Sequence, residues 1–313
     1  MESLFIGVDL GGTKIYSAIA NESGEILNEI VVKTEADKGT DAIVDKIKNS
    51  ISYLLENIDD NKVIAIGIGS PGPLDIRNGI IAEPPNLPFK NYNIVKELKD
   101  TFGIDVYLDN DANVATLAEY KYGAGRDTDN MIYLTVSTGI GGGAILNGKI
   151  YRGSTLNALE LGHVTIDSNG RRCGCGNRGC VEALASGTAI LNLAKEALKS
   201  KVDTSLRRYE EVTTKEVFDE YKNGDRICKE IINEALSYLG ISISNYANIF
   251  DPDMIVIGGG VSNQWEIVSE KINEEMSKRC LGTILNNCKI ERAQLEGRSG
   301  VLGAIALAMS GMD

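Results

Sequence analysis

The sequence predicts an α/β protein built from two similar halves, and three observations carry that prediction. The chain has 313 residues, which at roughly 150 residues per domain points to about two domains. An apolar run, a glycine turn and a second apolar run occur at residues 5–20 and again at 132–146. Between and after these hairpins lie segments with helical periodicity, so strands and helices alternate along the chain. Two glycine hairpins can also look alike by chance, and that remains the alternative to halves built to one plan.

Residues 5–9 read as a strand, Gly11-Gly12-Thr13-Lys14 as a tight turn, and 15–20 as a second strand. A helix follows over 40–58. There Ile43, Val44, Ile47, Ile51, Leu54, Leu55 and Ile58 recur at three- and four-residue steps and build one apolar face. Residues 63–69 read as a buried strand closed by Ser70-Pro71-Gly72-Pro73. Residues 94–102 are expected to be helical and 104–108 a strand. Asp109-Asn110-Asp111-Ala112-Asn113 then opens a helix to about Tyr122, because Asp and Asn side chains accept the orphan N–H groups of a first turn.

In the second hairpin, 132–136 reads as a strand, Ser137 to Gly143 as the turn, and 144–146 as the strand leading out. A long helical stretch, continuous or broken, is expected over 225–250 and is stopped by Asp251-Pro252. Residues 254–257 form a compact buried strand ending in Gly258-Gly259-Gly260. Residues 264–278 read as a helix, and 299–309 as a final apolar helix that something must cover.

Composition narrows the function. Hydrophobic residues make up 43% and charged residues 24%, ordinary globular usage that argues against a disordered or fibrous chain. No apolar run approaches the length of a membrane span, and no basic leader opens the sequence, so neither a transmembrane helix nor a secretory signal is expected. The 32 basic and 44 acidic residues leave a net charge of −12, which disfavours nucleic acid and anionic membrane as broad partners. With 34 glycines and 6 prolines, tight turns between ordered elements are expected, not a floppy linker.

Three glycine-rich turns each follow an apolar strand: Gly11-Gly12, the run from Gly139, and Gly258-Gly259-Gly260. Glycine lets backbone N–H groups approach a phosphate with no Cβ in the way. Thr13 and Thr138 add hydroxyl donors and Lys14 a cation. The first turn leads into a strand, so neither the Walker pattern nor the dinucleotide fingerprint applies. Ordinary tight turns are the alternative for any one of them. Asp9 can orient a magnesium ion or its waters, or simply form a turn. Asp111 is a candidate general base for a hydroxyl nucleophile, with a helix N-cap as its plain alternative and Asp109 as its competitor.

His163, Cys173, Cys175 and Cys180 supply one imidazole and three thiols within a short span, the ligand set of a closed tetrahedral zinc site. His163 is the only histidine. With four protein ligands such a zinc is structural. A disulfide with a spare thiol and a redox cluster are the alternatives. Glu160 and Glu182 bracket the loop, where they balance Arg171, Arg172 and Arg178 or accept hydrogen bonds from sugar hydroxyls. Cys228, Cys280 and Cys288 are scattered and expected to be packed in the interior.

Taken together these residues resemble the ROK family of sugar kinases and repressors, within the actin/hexokinase-like ATPase fold of two ribonuclease-H-like lobes around a cleft. The motifs that carry the resemblance are Asp9-Leu10-Gly11-Gly12-Thr13-Lys14, Ser137 to Gly143, Glu160-Leu161-Gly162-His163 running on through Cys173 to Glu182, and Ile257-Gly258-Gly259-Gly260. The resemblance implies that Asp111 is the catalytic base and that Asn110, Glu160, His163 and Glu182 hold sugar hydroxyls, with His163 also on zinc. It implies that Gly72 and Asn86 lie near the sugar. The cofactors it implies are ATP, Mg2+ and structural Zn2+.

The expected lobes are 1–108 with 299–313, and 109–298 carrying the zinc-binding loop. The sequence opens at the first strand, without the DNA-binding helices of family repressors, which favours a kinase. The activity expected is ATP-dependent phosphorylation of the 6-hydroxyl of glucose, in a cytoplasmic homodimer or homotetramer serving carbohydrate metabolism. Kinases of the same family acting on N-acetylmannosamine, N-acetylglucosamine, fructose or allose are the near alternatives. A non-catalytic sugar-sensing regulator and an ATPase redox activator with an iron–sulfur cluster are the distant ones. Asn157-Ala158-Leu159 departs from the small, glycine-containing residues usual before Glu160 and bears on sugar preference.

Overall fold

A computed structural model describes residues 3–56, 58, 63–200, 202–295 and 297–311. In chain order the elements are β1 (Leu4–Leu10), β2 (Lys14–Asn21), β3 (Ile26–Lys33), α1 (Thr40–Leu55), β4 (Val63–Ser70), β5 (Leu74–Asp75), β6 (Ile80–Ile81), β7 (Tyr92–Asn93), α2 (Ile94–Phe102), β8 (Asp105–Asn110), α3 (Asp111–Tyr122), β9 (Met131–Val136), β10 (Ile140–Leu146), β11 (Lys149–Ile150), α4 (Val181–Ala185), α5 (Gly187–Lys199), α6 (Thr214–Lys222), α7 (Arg226–Phe250), β12 (Met254–Gly258), α8 (Trp265–Arg279), α9 (Gly282–Asn287), β13 (Lys289–Arg292) and α10 (Ser299–Ser310). They form two compact units: residues 1–127, 148–158 and 294–313, and residues 128–147 and 159–293. No described helix is long and apolar enough to cross a membrane.

The first unit is organised by one sheet in the order β3-β2-β1-β4-β8. β1, β2 and β3 pair antiparallel, while β4 and β8 run parallel to β1. The two-residue period of a strand divides β1 between two cores. Leu4, Ile6, Val8 and Leu10 join the buried residues of α1 and α2. Phe5 lies on the other face with Ala18, Ala65 and the apolar stripe of α10. Gly7 and Gly67 share that face, and a Cβ on Gly67 would overlap the carbonyl of Ala304 in α10. Missing side chains thus let the last helix seat directly on the sheet.

The second unit repeats the plan. β9 pairs antiparallel with β10, β12 runs parallel to β9, and β13 parallel to β12. Ile132, Leu134, Val136, Ile255 and Ile257 form one core with residues of α5, α7 and α8. At roughly 1.5–3 kcal/mol for each fully buried aliphatic side chain, this burial is the main stabilising term of the unit.

The structure corrects several expectations. The unit boundary lies beyond α3, at 127/128 and not 108/109, because α3 belongs to the core under α10. A Cβ on Gly303 of α10 would strike the backbone of Val114 in α3. Residues 1–2 and 312–313 of the expected first lobe lie outside the described residues. α1 stops at Leu55; of the expected extension to 58, residue 57 lies outside the described residues. The turn after β9 is confined to Ser137–Gly139. Gly141, Gly142 and Gly143 are strand residues, and a Cβ on Gly142 would come within 2.7 Å of the Leu161 side chain, so Gly142 serves close packing. α7 is continuous over 25 residues, capped by the Asp225 side chain on the Cys228 amide and ended by Asp251 at φ 45°.

Candidate functional site

In the first unit the functional groups gather at the C-terminal ends of the parallel strands. β8 ends in Asp109-Asn110, and the Asn110 side chain caps α3 by accepting from the Ala112 amide at 2.8 Å. Asn110 therefore takes the N-cap position that was the plain alternative for Asp111. Asp111 is the first helical residue, is exposed, and accepts from the same amide at 2.8 Å. The competing candidate, Asp109, is fully buried. Its Oδ2 accepts from Arg152 Nε at 2.7 Å, and its Oδ1 accepts from the Asn110 amide and Asn113 Nδ2, each at 2.8 Å. A carboxylate so engaged holds the junction in place and has no lone pair aimed at solvent. Gly72 lies beside Asn110, a Cβ there being 3.6 Å from Asn110 Nδ2. Asn86 lies beside Gly12, a Cβ there being 3.3 Å from Asn86 Cβ.

Asp9 occupies the face of β1 that looks toward α10. A Cβ on Gly300, in the first turn of α10, would collide with the Asp9 carboxylate, so the helix start is cut away to fit it. Burial pushes the Asp9 carboxyl up to about 6; nearby Lys14 pulls it down and Asp111 pushes it up. Asp9, Lys14 and Asp111 thus share one electrostatic environment. Lys14 is exposed, its Nζ 5.7 Å from the Tyr16 ring centroid.

In the second unit the turn at Ser137-Thr138-Gly139 is held by the start of α5. The Gly187 amide donates to Ser137 O at 2.7 Å and the Thr188 amide to Thr138 O at 3.3 Å. Glu182 supports the other flank, with Oε2 accepting from the Ile140 amide at 3.0 Å against Gly139. Gly259, at φ 84°, packs on the backbone of Val136, where any side chain would intrude, and Gly260 faces Ser137 Oγ. A cavity of about 520 Å³ opens here, lined among others by Thr138, Gly187, Thr213, Phe218, Gly260 and Asn263.

One ligand atom each from His163, Cys173, Cys175 and Cys180 lies within 4.8 Å of the others. His163 Nδ1 is 3.6 Å from Cys173 Sγ, and Cys175 Sγ is 3.7 Å from Cys180 Sγ. Four ligands at about 2.3 Å around a tetrahedral zinc stand about 3.8 Å apart, so the donor set and spacing fit that ion. The Asn177 backbone amide holds Cys175 below the usual thiol range, whereas burial pushes Cys180 up to about 12. Gly179, at φ 66°, lies so close to the Asp167 carbonyl that only glycine closes the loop. Glu182 Oε1 is 3.8 Å from Cys173 Sγ, so one carboxylate touches both the cysteine cluster and the glycine turn. Glu160 is exposed just ahead of His163. The expected charge balance is different in detail: Arg171 pairs with Glu196 at 2.6 and 2.8 Å, not with either bracketing acid. Cys228 and Cys288 are buried in the second core, and Cys280 packs against it.

Three residues escaped the sequence reading: Arg152, Gly300 and Glu119. Glu119 is fully buried and accepts from the amides of Ala124, Gln294 and Leu295 at 3.0, 3.1 and 2.8 Å, tying α3 to the approach of α10. A carboxylate within the otherwise apolar face of α3 was the available signal. For Arg152 there was none, since it meets Asp109 only through the fold.

The chain has relatives along nearly its whole length. A glucokinase of Thermotoga maritima is 35% identical over 307 residues, covering 96% of both chains. A xylose repressor of Caldicellulosiruptor bescii is 33% identical over 314 residues, covering 98% of this chain and 78% of the repressor. A crystal structure of a ROK family glucokinase from Streptomyces griseus, in complex with glucose and AMPPNP, superposes with a TM-score of 0.79 at 32% identity, covering 99% of this chain and all of that one. The paired sheets are those of the actin/hexokinase-like ATPase fold. The family model described as ROK matches residues 5–310, and on this span of sequence and structure the chain belongs to the ROK family.

Proposed function

We propose that the protein is an ATP-dependent hexose kinase that phosphorylates the 6-hydroxyl of glucose. The observation that carries this reading is the β8–α3 junction, where buried Asp109 and Arg152 fix the backbone and leave Asp111 exposed in the same electrostatic environment as Asp9 and Lys14. Asp111 accepts the proton of the sugar hydroxyl as its oxygen bonds to the γ-phosphorus and the β–γ bridging oxygen departs with ADP. The proposed sugar contacts are Gly72, Asn86, Asn110, Glu160, His163 and Glu182. With His163 Nδ1 on the cysteine side, its Nε2 is the nitrogen available to a hydroxyl.

Backbone amides at Gly11, Gly12, Thr13, Thr138 and Gly139 serve the phosphates, and Gly258, Gly259 and Gly260 the adenosine side. Mg2+, oriented by Asp9, supplies charge neutralisation when bound. Zn2+ at His163, Cys173, Cys175 and Cys180 is structural. The glucokinase relatives and the complex with glucose and an ATP analogue support the reading. The repressor relative keeps a sugar-binding regulator without turnover as the second reading.

A coupled ADP-release assay over glucose, N-acetylmannosamine, N-acetylglucosamine, fructose and allose tests the proposal. Glucose is expected to give the highest kcat/KM, and Asp111→Asn to lower kcat about 10²–10⁴-fold with the fold retained. Sugar binding with no ATP consumption would establish the regulator instead.

A further inference from the structure

β3 is an edge of the first unit's sheet, and among the described residues no strand pairs with its outer side. It is eight residues long, and its exposure alternates strictly: Leu27, Glu29, Val31 and Lys33 are exposed, while Ile26, Asn28, Ile30 and Val32 are half-buried. Leu27 and Val31 are 51% and 55% exposed. An edge of a monomer is usually shortened, charged throughout or covered, because its unpaired backbone groups invite another strand. Here two large apolar side chains stand on an open edge. The one irregularity in the pairing with β2 falls opposite Ile19 and Ala20, so from Asn28 to Lys33 the strand is regular.

One bond fixes which backbone groups face outward. The Thr34 amide donates to Thr13 O at 2.9 Å, toward β2. Hydrogen-bonding direction alternates along a strand, so the amides and carbonyls of Glu29, Val31 and Lys33 point away from the sheet. Lys46 Nζ agrees with this, donating to the Lys33 carbonyl at 2.9 Å on the side that β2 leaves open. Glu29 is held in place above the same face: the Tyr16 hydroxyl donates to one carboxylate oxygen, and Arg298 Nη2 lies 3.5 Å from the other.

We propose that this edge is a self-association surface: β3 pairs antiparallel with β3 of a second copy of the chain about a two-fold axis, joining two five-stranded sheets into one. The sequence of the strand selects the register. An axis at Glu29 sets that carboxylate against the partner's Glu29. An axis at Ile30 sets Glu29 against the partner's Val31. An axis at Val31 sets Val31 against the partner's Val31 and, on both sides of it, Glu29 against the partner's Lys33. On the opposite face that same axis sets Ile30 against the partner's Val32. Only this last register matches apolar with apolar and each charge with its opposite. A lysine on an edge strand ordinarily deters pairing, but here the two-fold supplies its acid.

Sedimentation velocity of the full chain tests the pairing without sugar or nucleotide, so the result stands apart from the proposed activity. Val31→Pro removes an outward amide that the sheet itself does not use, and is expected to halve the assembled mass; thermal unfolding serves as its fold control. Glu29→Lys alone and Lys33→Glu alone each bring like charges face to face, and each is expected to raise the dissociation constant about tenfold or more. Mixed in equal amounts, the two single variants place opposite charges at every facing pair, and the assembly is expected to return. A variant that had merely lost its fold could not be restored by mixing. A wild-type chain that stays monomeric at every concentration loaded would overturn the proposal. So would Val31→Pro assembling as wild type does, or the two charge variants failing to associate when mixed.

Discussion

Asp9 is placed by strand periodicity on the side of β1 that meets α10, and the missing side chain of Gly300 gives it room. Its cost is legible in the carboxyl, raised from 3.8 to about 6 by burial. Below pH 4 both folded and unfolded chains hold the proton. Between about 4 and 6 only the folded chain does, so stability falls as pH rises through that window and is level above it. The charged form therefore costs up to about 3 kcal/mol at neutral pH. Asp9→Asn should accordingly raise the melting temperature at pH 7.5 and leave it nearly unchanged at pH 4, while lowering turnover at both. A variant that melts below wild type at pH 7.5 would show that Asp9 stabilises the fold. Asp9 and Asp111 could be picked out from sequence because each follows an apolar strand beside a distinctive turn. The choice between Asp111 and Asp109 could not be made that way. It rests on Arg152, which reaches Asp109 from a distant loop.

Elements were legible where local signals agreed. α2 has its apolar stripe, an Asn93 cap on Lys96 and a left-handed Gly103 at its end, and the expected bounds coincide with the observed ones. The run Gly141–Gly143 misled, because glycine reads as a turn locally whereas here it lies within a strand, where Gly142 admits Leu161. β3 and α6 passed unnoticed: the sequence of β3, with exposed Leu27 and Val31, shows no apolar–polar alternation, whereas α6 carries a signature in its Thr213–Glu216 capping box. The loop that gathers His163, Cys173, Cys175 and Cys180 was the clearest element of all, since four residues of two scarce types in one span need no tertiary knowledge. Cys175→Ser is expected to reduce bound zinc from one per chain to well below that, and to lower the melting temperature of the second unit. Elemental analysis with calorimetry checks it, and a zinc-free variant that melts like wild type would refute the structural role. Because Glu182 links the cluster to the turn at Gly139, the same variant should also weaken AMPPNP binding.

At the scale of the whole molecule, each unit owns a separate core, so a single unfolding free energy is not expected to describe the protein. Gly67→Ala forces a methyl into the Ala304 carbonyl and should destabilise the first unit by about 1–3 kcal/mol or more. In differential scanning calorimetry that substitution and zinc chelation are expected to shift different transitions. One transition moving identically under both treatments would contradict independent cores. The repeated strand–turn–strand pattern made the duplicated plan readable from the sequence. The boundary at 127/128 was not readable, because it depends on α3 and α10 meeting face to face.

The first unit draws its strands from the start of the chain and its central helix, α10, from the end. A ribosome delivers β1 early and α10 only after the whole of the second unit. Until α10 emerges, the sheet surface around Phe5, Gly7 and Ala65 must wait uncovered, while the second unit, whose segments all lie within the intervening sequence, can close during translation. Loss of α10 would therefore strand the half that was made first, and chaperones would be expected to engage the nascent chain through that bare sheet.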